Sequence, residues 1–434
     1  MALTATRIVK REPDASPRRI GGEICILGAG IAGISAALEA AKLGRRVVLA
    51  DASPMLGGQS VGALIGTFCG LYSNGPKPYQ VTYGIAEDIV RDLGAEGALN
   101  PIRGRRNTTI LQYDEVALAR WIERKVAAAR IDLVLGATLT GVVAKDRRIR
   151  RVALATRFGA VDIEATGFVD ASGDAALAHA AGLSCREPDG QVWGTQMLTL
   201  ENFDATALAR LGAESVPKRL REVSGKYGLA RKDGFVFAVP DRGTALVNMT
   251  HVAVSLDPLE ASRASLTARA EADRLIAFLR AEFPEVFGRV RVRSYGLPGM
   301  RQTRWIVGRH HLTSDEVRSG TRFADAVARA SWPIELHDRP DDVHWEVFGD
   351  GHMHYVPFGS LVAADADNLI AAGRTIDGDV AALSAVRVMG PCIATGAAAA
   401  HALDLAGAGA LGQIDMAALE SRLRDNLERC DPGP

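Results

Sequence analysis

The 434-residue sequence lacks the features that mark several classes of protein. Its five cysteines are odd in number, lie far apart and include no Cys-x-x-Cys pair, which argues against a zinc ribbon, an iron–sulfur cluster and a disulfide reductase. Lys and Arg together number 51, as do Asp and Glu, so no net charge favours nucleic acid or an anionic membrane as a partner. This cysteine usage fits a reducing compartment, and we expect a cytoplasmic protein.

Long uninterrupted apolar runs are also absent. The most apolar stretch near the N-terminus is broken by glycines, and Glu39 and Lys42 interrupt its extension. A helix that crosses a bilayer needs about 20 consecutive apolar residues, so we expect no membrane span.

The N-terminal part of the chain instead has an ordered strand–helix–strand pattern. An apolar strand over residues 22–27 leads into Gly28-x-Gly30-x-x-Gly33, a helix follows over 34–44, and a strand over 46–50 ends at Asp51. Such glycines allow a tight turn, a close approach of backbone to a pyrophosphate, and close helix–strand packing. The helix N-terminus attracts phosphate, and the acid can accept hydrogen bonds from a ribose. The pattern predicts a dinucleotide-binding unit.

A second glycine pair follows in the segment Pro54-Met55-Leu56-Gly57-Gly58-Gln59-Ser60. A unit that binds only NAD needs no such loop, whereas the longer flavin dinucleotide must pass close to backbone on its way to the ring. The segment therefore favours FAD. No histidine suited to a covalent flavin linkage stands near the loop, which predicts non-covalent binding.

Strand and helix patterns divide the chain into predicted domains. Residues 1–20 are predicted to form a loose N-terminal tail. Residues 21–190 and 359–434 predict a Rossmann-like α/β domain that binds FAD and contains a β-meander over 139–164. Residues 191–358 lack a nucleotide motif and predict a second, α+β domain for the substrate.

A late segment returns the chain to the first domain. A strand over 367–372 runs into Gly373-Arg374, and Gly390-Pro391 opens a helix, because proline suits the first helical position. The positive N-terminal end of this helix would attract an anion such as a reduced flavin ring.

These motifs together resemble the FAD-dependent oxidoreductase family, which is related to the fumarate-reductase and glutathione-reductase-like flavoproteins. The matching segments cover most of the chain and are Gly28 to Gly33 with Asp51, Leu56 to Gly58, Val169 to Asp174 with Ala181-Gly182, Gly299 to Arg304, Trp332 to His337, Asn368 to Arg374, and Ser384 to Gly396. One departure is Ser172-Gly173, where Thr-Gly is commoner in the family.

The resemblance implies an enzyme with FAD bound along these motifs. The residues expected to line FAD are Gly28, Gly30, Ile31, Ala32, Gly33, Asp51, Ala52, Gly57, Gly58, Gln59, Ser60, Ser172, Gly173, Asp174, Gly373, Arg374, Asp377, Met389, Gly390, Pro391 and Cys392. It further implies that Asp377 or Asp379 approaches the phosphates and the ribityl chain. The turn from Met389 to Cys392 would lie against the isoalloxazine ring.

Three side chains are candidates for catalysis beside the flavin. Arg301 and Arg304 stand in a Gly/Pro-flanked segment; either could bind a substrate carboxylate through two hydrogen bonds or form a structural ion pair instead. His337 ends an apolar run and could be a general base or a structural histidine at a strand end. His352 and His354 lack a third ligand nearby, so no metal site is predicted.

The sequence therefore predicts a two-electron flavoenzyme. We expect a small organic substrate that carries a carboxylate to transfer a hydride to flavin N5 while a base takes a proton; the electrons then pass to oxygen or a carrier. The middle of the chain contains no second Gly-x-Gly-x-x-Gly for a nicotinamide, which favours substrate oxidation. The alternatives are a reductase supplied by NAD(P)H or a carrier, and an electron-transfer subunit of a complex. The acceptor and the oligomeric state, a homo-oligomer included, stay open.

Overall fold

The computed structural model describes residues 6–10, 16–104, 107–239 and 242–434. Its centre is a parallel five-stranded sheet with the strand order Leu369–Ala371, Gly167–Asp170, Ile24–Leu27, Val47–Asp51, Asp132–Leu135. The inner strands consist almost entirely of buried apolar residues, as expected when both faces of a parallel sheet are covered. The sheet confirms the predicted α/β class with a Rossmann-like unit.

Two helices beside this sheet, Ile31–Lys42 and Met389–Ala406, form the most extensive helix–helix contact in the described residues. The Ser35 hydroxyl donates to the Ile393 carbonyl at 2.7 Å. A Cβ on Gly396 would overlap the carbonyl oxygen of Ala32. The two backbones can approach this closely only because Gly396 has no side chain.

The meander occurs where it was predicted, in a four-stranded sheet with the order Arg18–Gly21, Gly159–Glu164, Arg148–Thr156, Thr138–Lys145. Its first strand corrects a prediction, because residues 18–20 were expected to belong to a loose tail. They pair in parallel with Gly159–Glu164 and thereby satisfy backbone groups at the open edge of the meander. Of the rest of that tail, residues 1–5 and 11–15 lie outside the described residues.

Further helices, turns and a small sheet surround the parallel sheet. They are the helices Gly58–Gly62, Ile85–Ala95, Glu115–Ala128, Ala176–Ala180, Val380–Val386, Met416–Arg422 and Arg424–Glu428, the 3₁₀ turns Phe358–Ser360, Gly373–Thr375 and Leu411–Gln413, and a three-stranded sheet of Thr67–Phe68, Thr109–Tyr113 and Leu99–Arg103.

A second hydrophobic core lies between an antiparallel sheet and helices. The sheet has the order Phe235–Val239, Thr244–Asn248, Leu198–Glu201, Arg291–Tyr295, and its helices are Ala205–Leu211, Ser215–Tyr227, Pro258–Glu282 and Pro284–Phe287. The Asp257 carboxylate caps the longest of these helices by accepting the Leu259 and Glu260 N–H groups.

Residues 305–358 pack with the core of the parallel sheet. They contain the helix Ser314–Ser319 and two antiparallel strand pairs, Ala326–Ala330 with His354–Pro357 and Ile334–Leu336 with His344–Glu346. A third strand, Trp305–Ile306, pairs with Cys185–Arg186. Buried Trp305, Val327 and Val356 belong to the same cluster as Ile26 and Val48. The predicted substrate domain, 191–358, thus contains two packing units, and its boundary stays a prediction.

Within the described ranges, no helix alone has the length and hydropathy of a bilayer span. Val380–Val386 and Met389–Ala406 reach that hydropathy only as a pair, across a bend of 89°.

The close helix contact can be tested with two glycines that both lie in helices. We expect Gly396→Ala to lower the free energy of unfolding by about 1–3 kcal/mol, because the added methyl must push two backbones apart. The control, Gly225→Ala, places its methyl in open space and should leave stability unchanged or raise it by up to about 1 kcal/mol. Urea unfolding measures both; equal effects would contradict the packing described.

Candidate active site

The two glycine loops contact each other directly through backbone. The Gly57 N–H donates to the Ala29 carbonyl at 2.9 Å, and Gly57 pairs with Gly30 in an isolated parallel bridge. A Cβ on Gly58 would lie only 2.7 Å from the Gly30 Cα. The predicted cofactor residues from Gly28 to Ser60 therefore form one surface, which we call the glycine cradle.

Gly30 differs from Gly28 and Gly33 because open space lies beside its Cα. A Cβ on Gly28 would overlap the Ala171 carbonyl, and one on Gly33 would overlap the Gly28 carbonyl. A Cβ on Gly30 would meet no protein atom within 4 Å, and no side chain caps the helix that Ile31 begins. Unpaired helix N–H groups beside open space fit the diphosphate of a dinucleotide.

Asp51 connects the first loop of the cradle with the start of the segment that leads to the second loop. Its carboxylate accepts the Ala29 N–H at 2.5 Å and the Ser53 N–H at 2.6 Å. The predicted cofactor residue Ala52 lies between Asp51 and Ser53 in the chain. A carboxylate has about four acceptor positions, so further capacity is left for ribose hydroxyls.

Arg374 connects the predicted cofactor turn at residues 172–174 with the segment around Arg301. Its Nε donates to the Gly173 carbonyl at 2.8 Å, and its Nη2 lies 3.2 Å from Asp174 Oδ1. Its Nη1 donates to the carbonyl of Met300. The side chain thus holds two distant segments together beside the cradle.

Asp377 and Asp379 have protein partners instead. The fully buried Asp377 carboxylate contacts Arg186 Nε at 2.9 Å and His311 Nδ1 at 2.8 Å. Asp379 caps the helix Val380–Val386. The complete burial of Asp377 argues against its expected contact with the phosphates or the ribityl chain, whereas the contact expected of the part-exposed Asp379 stays a prediction.

The long helix Met389–Ala406 begins at Met389, one residue before the predicted Gly390-Pro391 start, and no side chain caps it. The Gly390 N–H donates to the Cys69 carbonyl at 2.9 Å.

Burial raises the pKa of the Cys69 and Cys392 thiols to about 12, so both stay protonated at neutral pH.

A cavity of about 170 Å³ opens where the cradle, this helix start and the segment 299–301 meet. Its lining includes the cofactor candidates Gln59, Arg374 and Met389, the substrate candidate Arg301, and two residues that the sequence did not single out, Glu335 and Arg387. Residues predicted for the flavin and for the substrate are thereby brought to one place.

Comparison with known families agrees with this geometry. The model of the family described as FAD dependent oxidoreductase matches residues 23–423, nearly the whole chain. The chain belongs to the FAD-dependent oxidoreductase family. It is therefore an enzyme that uses FAD, as the motifs predicted. No curated protein sequence matches it significantly.

Solved structures match this chain at low identity and with TM-scores below 0.5. A geranylgeranyl bacteriochlorophyll reductase-like protein from Thermoplasma acidophilum is 13% identical over 89% of this chain and 78% of its own, with a TM-score of 0.47. The flavin-dependent brominase Bmp2 is 12% identical over 94% and 83%, with a TM-score of 0.46. The aromatic hydroxylase CabE is 12% identical over 93% and 65%, with a TM-score of 0.48.

The cavity of this FAD-dependent oxidoreductase is rich in buried positive charge. Arg301 donates to the Trp193 carbonyl at 2.6 Å and to Thr195 Oγ1 at 2.7 Å, and neither partner is charged. Arg387 reaches only the Glu335 carbonyl, at 3.3 Å, and its buried Nε has no partner among the described residues. Burial lowers the pKa of both guanidinium groups. Such a site favours an anion.

Arg304 does not join this group. Its Nε donates to the Glu187 carboxylate at 3.0 Å, and it is not among the residues that line the cavity. The structure thus contains an ion pair between Arg304 and Glu187, which is the alternative that the sequence left open beside a substrate contact.

His337 lies behind the cavity rather than in it. The side chain is fully buried, and its Nε2 is 3.1 Å from Oε1 of Glu335, which faces the cavity. Burial and the nearby charge of Arg301 lower the pKa of His337 well below its usual value, so the ring is neutral. The predicted base can act on a substrate only through Glu335.

Among the described residues, no group of three His, Cys, Asp or Glu side chains is arranged to hold a metal ion.

Gly30 gives a direct test of the cradle. We expect Gly30→Ala to weaken FAD binding by about tenfold or more, because the methyl would occupy only the space left for the cofactor. The control is Gly141→Ala, whose Cβ also meets no protein atom. Fluorescence titration of the apoprotein with FAD measures the affinity. The FAD-free forms of the two variants should have the same melting temperature. Full FAD affinity in Gly30→Ala would contradict the assignment of the cofactor site to Gly30.

Proposed function

We propose that this enzyme oxidises a small organic anion, such as a hydroxy acid or an amino acid, and that the substrate carboxylate binds in the arginine-lined cavity. Bound FAD would supply the two-electron acceptor and take a hydride at N5. The observation that carries the proposal is the excess of cationic side chains over carboxylates around a small cavity, which Arg301, Arg374, Arg387 and Glu335 line.

The arginines supply binding and orientation. Arg301 and Arg387 hydrogen-bond to uncharged groups, and the Glu335 carboxylate is the acid that offsets part of their charge, so an incoming carboxylate would neutralise the positive charge that remains. Hydrogen bonds to charged groups contribute about 1.5–3 kcal/mol each. Two such contacts would fix the position of the substrate relative to Glu335.

The experiment is anaerobic bleaching of the flavin spectrum with a panel of hydroxy acids, amino acids, amines, sugars, NADH and NADPH. Bleaching by an organic anion supports the proposal. Bleaching only by a nicotinamide would overturn it in favour of a reductase. Bleaching by no member of the panel, together with a stoichiometric protein partner after purification, would instead indicate an electron-transfer subunit.

Arg387 provides the matched variant for the anionic substrate found in this way. We expect Arg387→Met to raise the half-saturating substrate concentration by about 10–150-fold, from the loss of one charged hydrogen bond. Arg304→Met removes a partly exposed ion pair outside the cavity and should change that concentration little. FAD content and melting temperature show that both variants are folded. An equal response of the two variants would contradict the role of Arg387.

A further inference from the structure

A chain of hydrogen-bonded groups runs from the cavity into the interior of the protein. Glu335 Oε1 is 3.1 Å from His337 Nε2, and His337 Nδ1 is 3.0 Å from His251 Nε2. His251 Nδ1 is 2.9 Å from the carbonyl oxygen of Pro340. Both histidines are buried, whereas Glu335 lines the cavity.

Counting protons along this chain shows that one is missing when Glu335 is ionised. Three contacts link Pro340, His251, His337 and Glu335, and each contact needs one proton between its two atoms. Two neutral imidazoles carry only two. The Pro340 carbonyl can only accept, so His251 must place its proton on Nδ1 and accept from His337 through Nε2. His337 then presents a lone pair to Glu335.

The surrounding charges keep the third proton off the histidines. The groups that face the chain are Arg231, Arg301 and Arg387, the neutral Cys69, and Glu271, which contacts the His251 backbone and whose pKa burial raises. Burial and then Arg231 lower the pKa of His251 to about 2, and burial and then Arg301 lower that of His337. The hydrogen bonds of the chain therefore leave the carboxyl group of Glu335 as the position for a third proton.

We propose that Glu335 is the proton acceptor of the reaction, and that His337 and His251 are positioning residues that set its protonation. This inference rests on the proposed function. A hydroxy-acid or amino-acid substrate oxidised by two electrons loses a hydride from carbon, which bound FAD accepts, and a proton from oxygen or nitrogen. That proton passes to Glu335 Oε1 as the substrate C=O or C=N bond forms. It supplies the missing third proton, so every contact of the chain is then satisfied.

The carboxyl group is also held in a fixed orientation. Trp332 Nε1 donates to Oε2 at 3.0 Å, which leaves Oε1 for His337, and the Glu335 N–H donates to the Ser384 hydroxyl at 3.1 Å. A general base within reach of its proton typically accelerates a reaction by about 10²–10⁴-fold.

The test follows the histidine ring nitrogens of the ¹⁵N-histidine-labelled holoenzyme by NMR as pH is varied. The variants are Glu335→Gln and His251→Leu, with His354→Gln as control because His354 is buried but outside the chain. We expect one titration step at His337 Nε2 in the wild type and in the control. Glu335→Gln should lack the step, because an amide donates a hydrogen bond but has no proton to lose.

His251→Leu should keep the step but move it to lower pH. Without His251, the neutral His337 ring can carry its proton on Nε2 and donate to an ionised Glu335, which stabilises the ionised carboxylate. A residue with only a packing role would not move this step. FAD content shows whether each variant is folded.

Rapid bleaching by the identified substrate provides the second readout. In the wild type, its rate should rise with pH through the NMR step, because only ionised Glu335 can accept the proton. Glu335→Gln should lower the rate by about 10²–10⁴-fold and remove this pH dependence.

Absence of the NMR step in the wild type, or its persistence in Glu335→Gln, would overturn this proposal whatever bleaches the flavin. Failure of every organic substrate to bleach the flavin would overturn the proposed function, while the NMR step still reports on the proton chain.

Discussion

The structure depends on backbone approaching backbone at a few glycines around the cofactor site. Gly58 lies against Gly30, and Gly396 lies against Ala32 across the two long helices. These contacts bring the second glycine loop and the late helix start to the same edge of the parallel sheet as the first glycine turn. Because interiors are packed without spare volume, a single methyl at such a point displaces whole elements rather than one side chain. The position of the cavity follows from these contacts.

The second constraint is electrostatic. Arg301 and Arg387 are held beside the cavity by neutral oxygen acceptors, and Glu335 is the carboxylate in the lining of the cavity. Burying uncompensated charge costs stability, so such an arrangement is retained where a ligand supplies the opposite charge. An anionic substrate would neutralise the arginines, and a proton delivered to Glu335 would complete the hydrogen bonds behind it. In the proposed reaction, substrate binding and proton transfer would therefore be linked through the same cluster of charges.

Local patterns predicted much of the fold and the cofactor surface. The turn at Gly28, the helix after it and the strand that ends at Asp51 are determined by residues close together in the sequence. The spacing of those residues was therefore sufficient to predict these elements. Side-chain direction depends on distant segments and was not predictable. Arg304 turns to Glu187, Asp377 turns to Arg186, and His337 points at Glu335 rather than into the cavity. Glu335 and Arg387 lie inside matched segments, but a single sequence offers no signal that they converge.

A crystal structure of the FAD-loaded enzyme would test the central claim most directly, since it locates the ring relative to the charged groups. We predict that the diphosphate lies at Gly30 and that the isoalloxazine ring enters the cavity lined by Gln59, Arg374 and Met389. Glu335 and Arg387 would then border the space beside the ring. A ring bound outside this cavity, with Glu335 and Arg387 remote from it, would contradict the account.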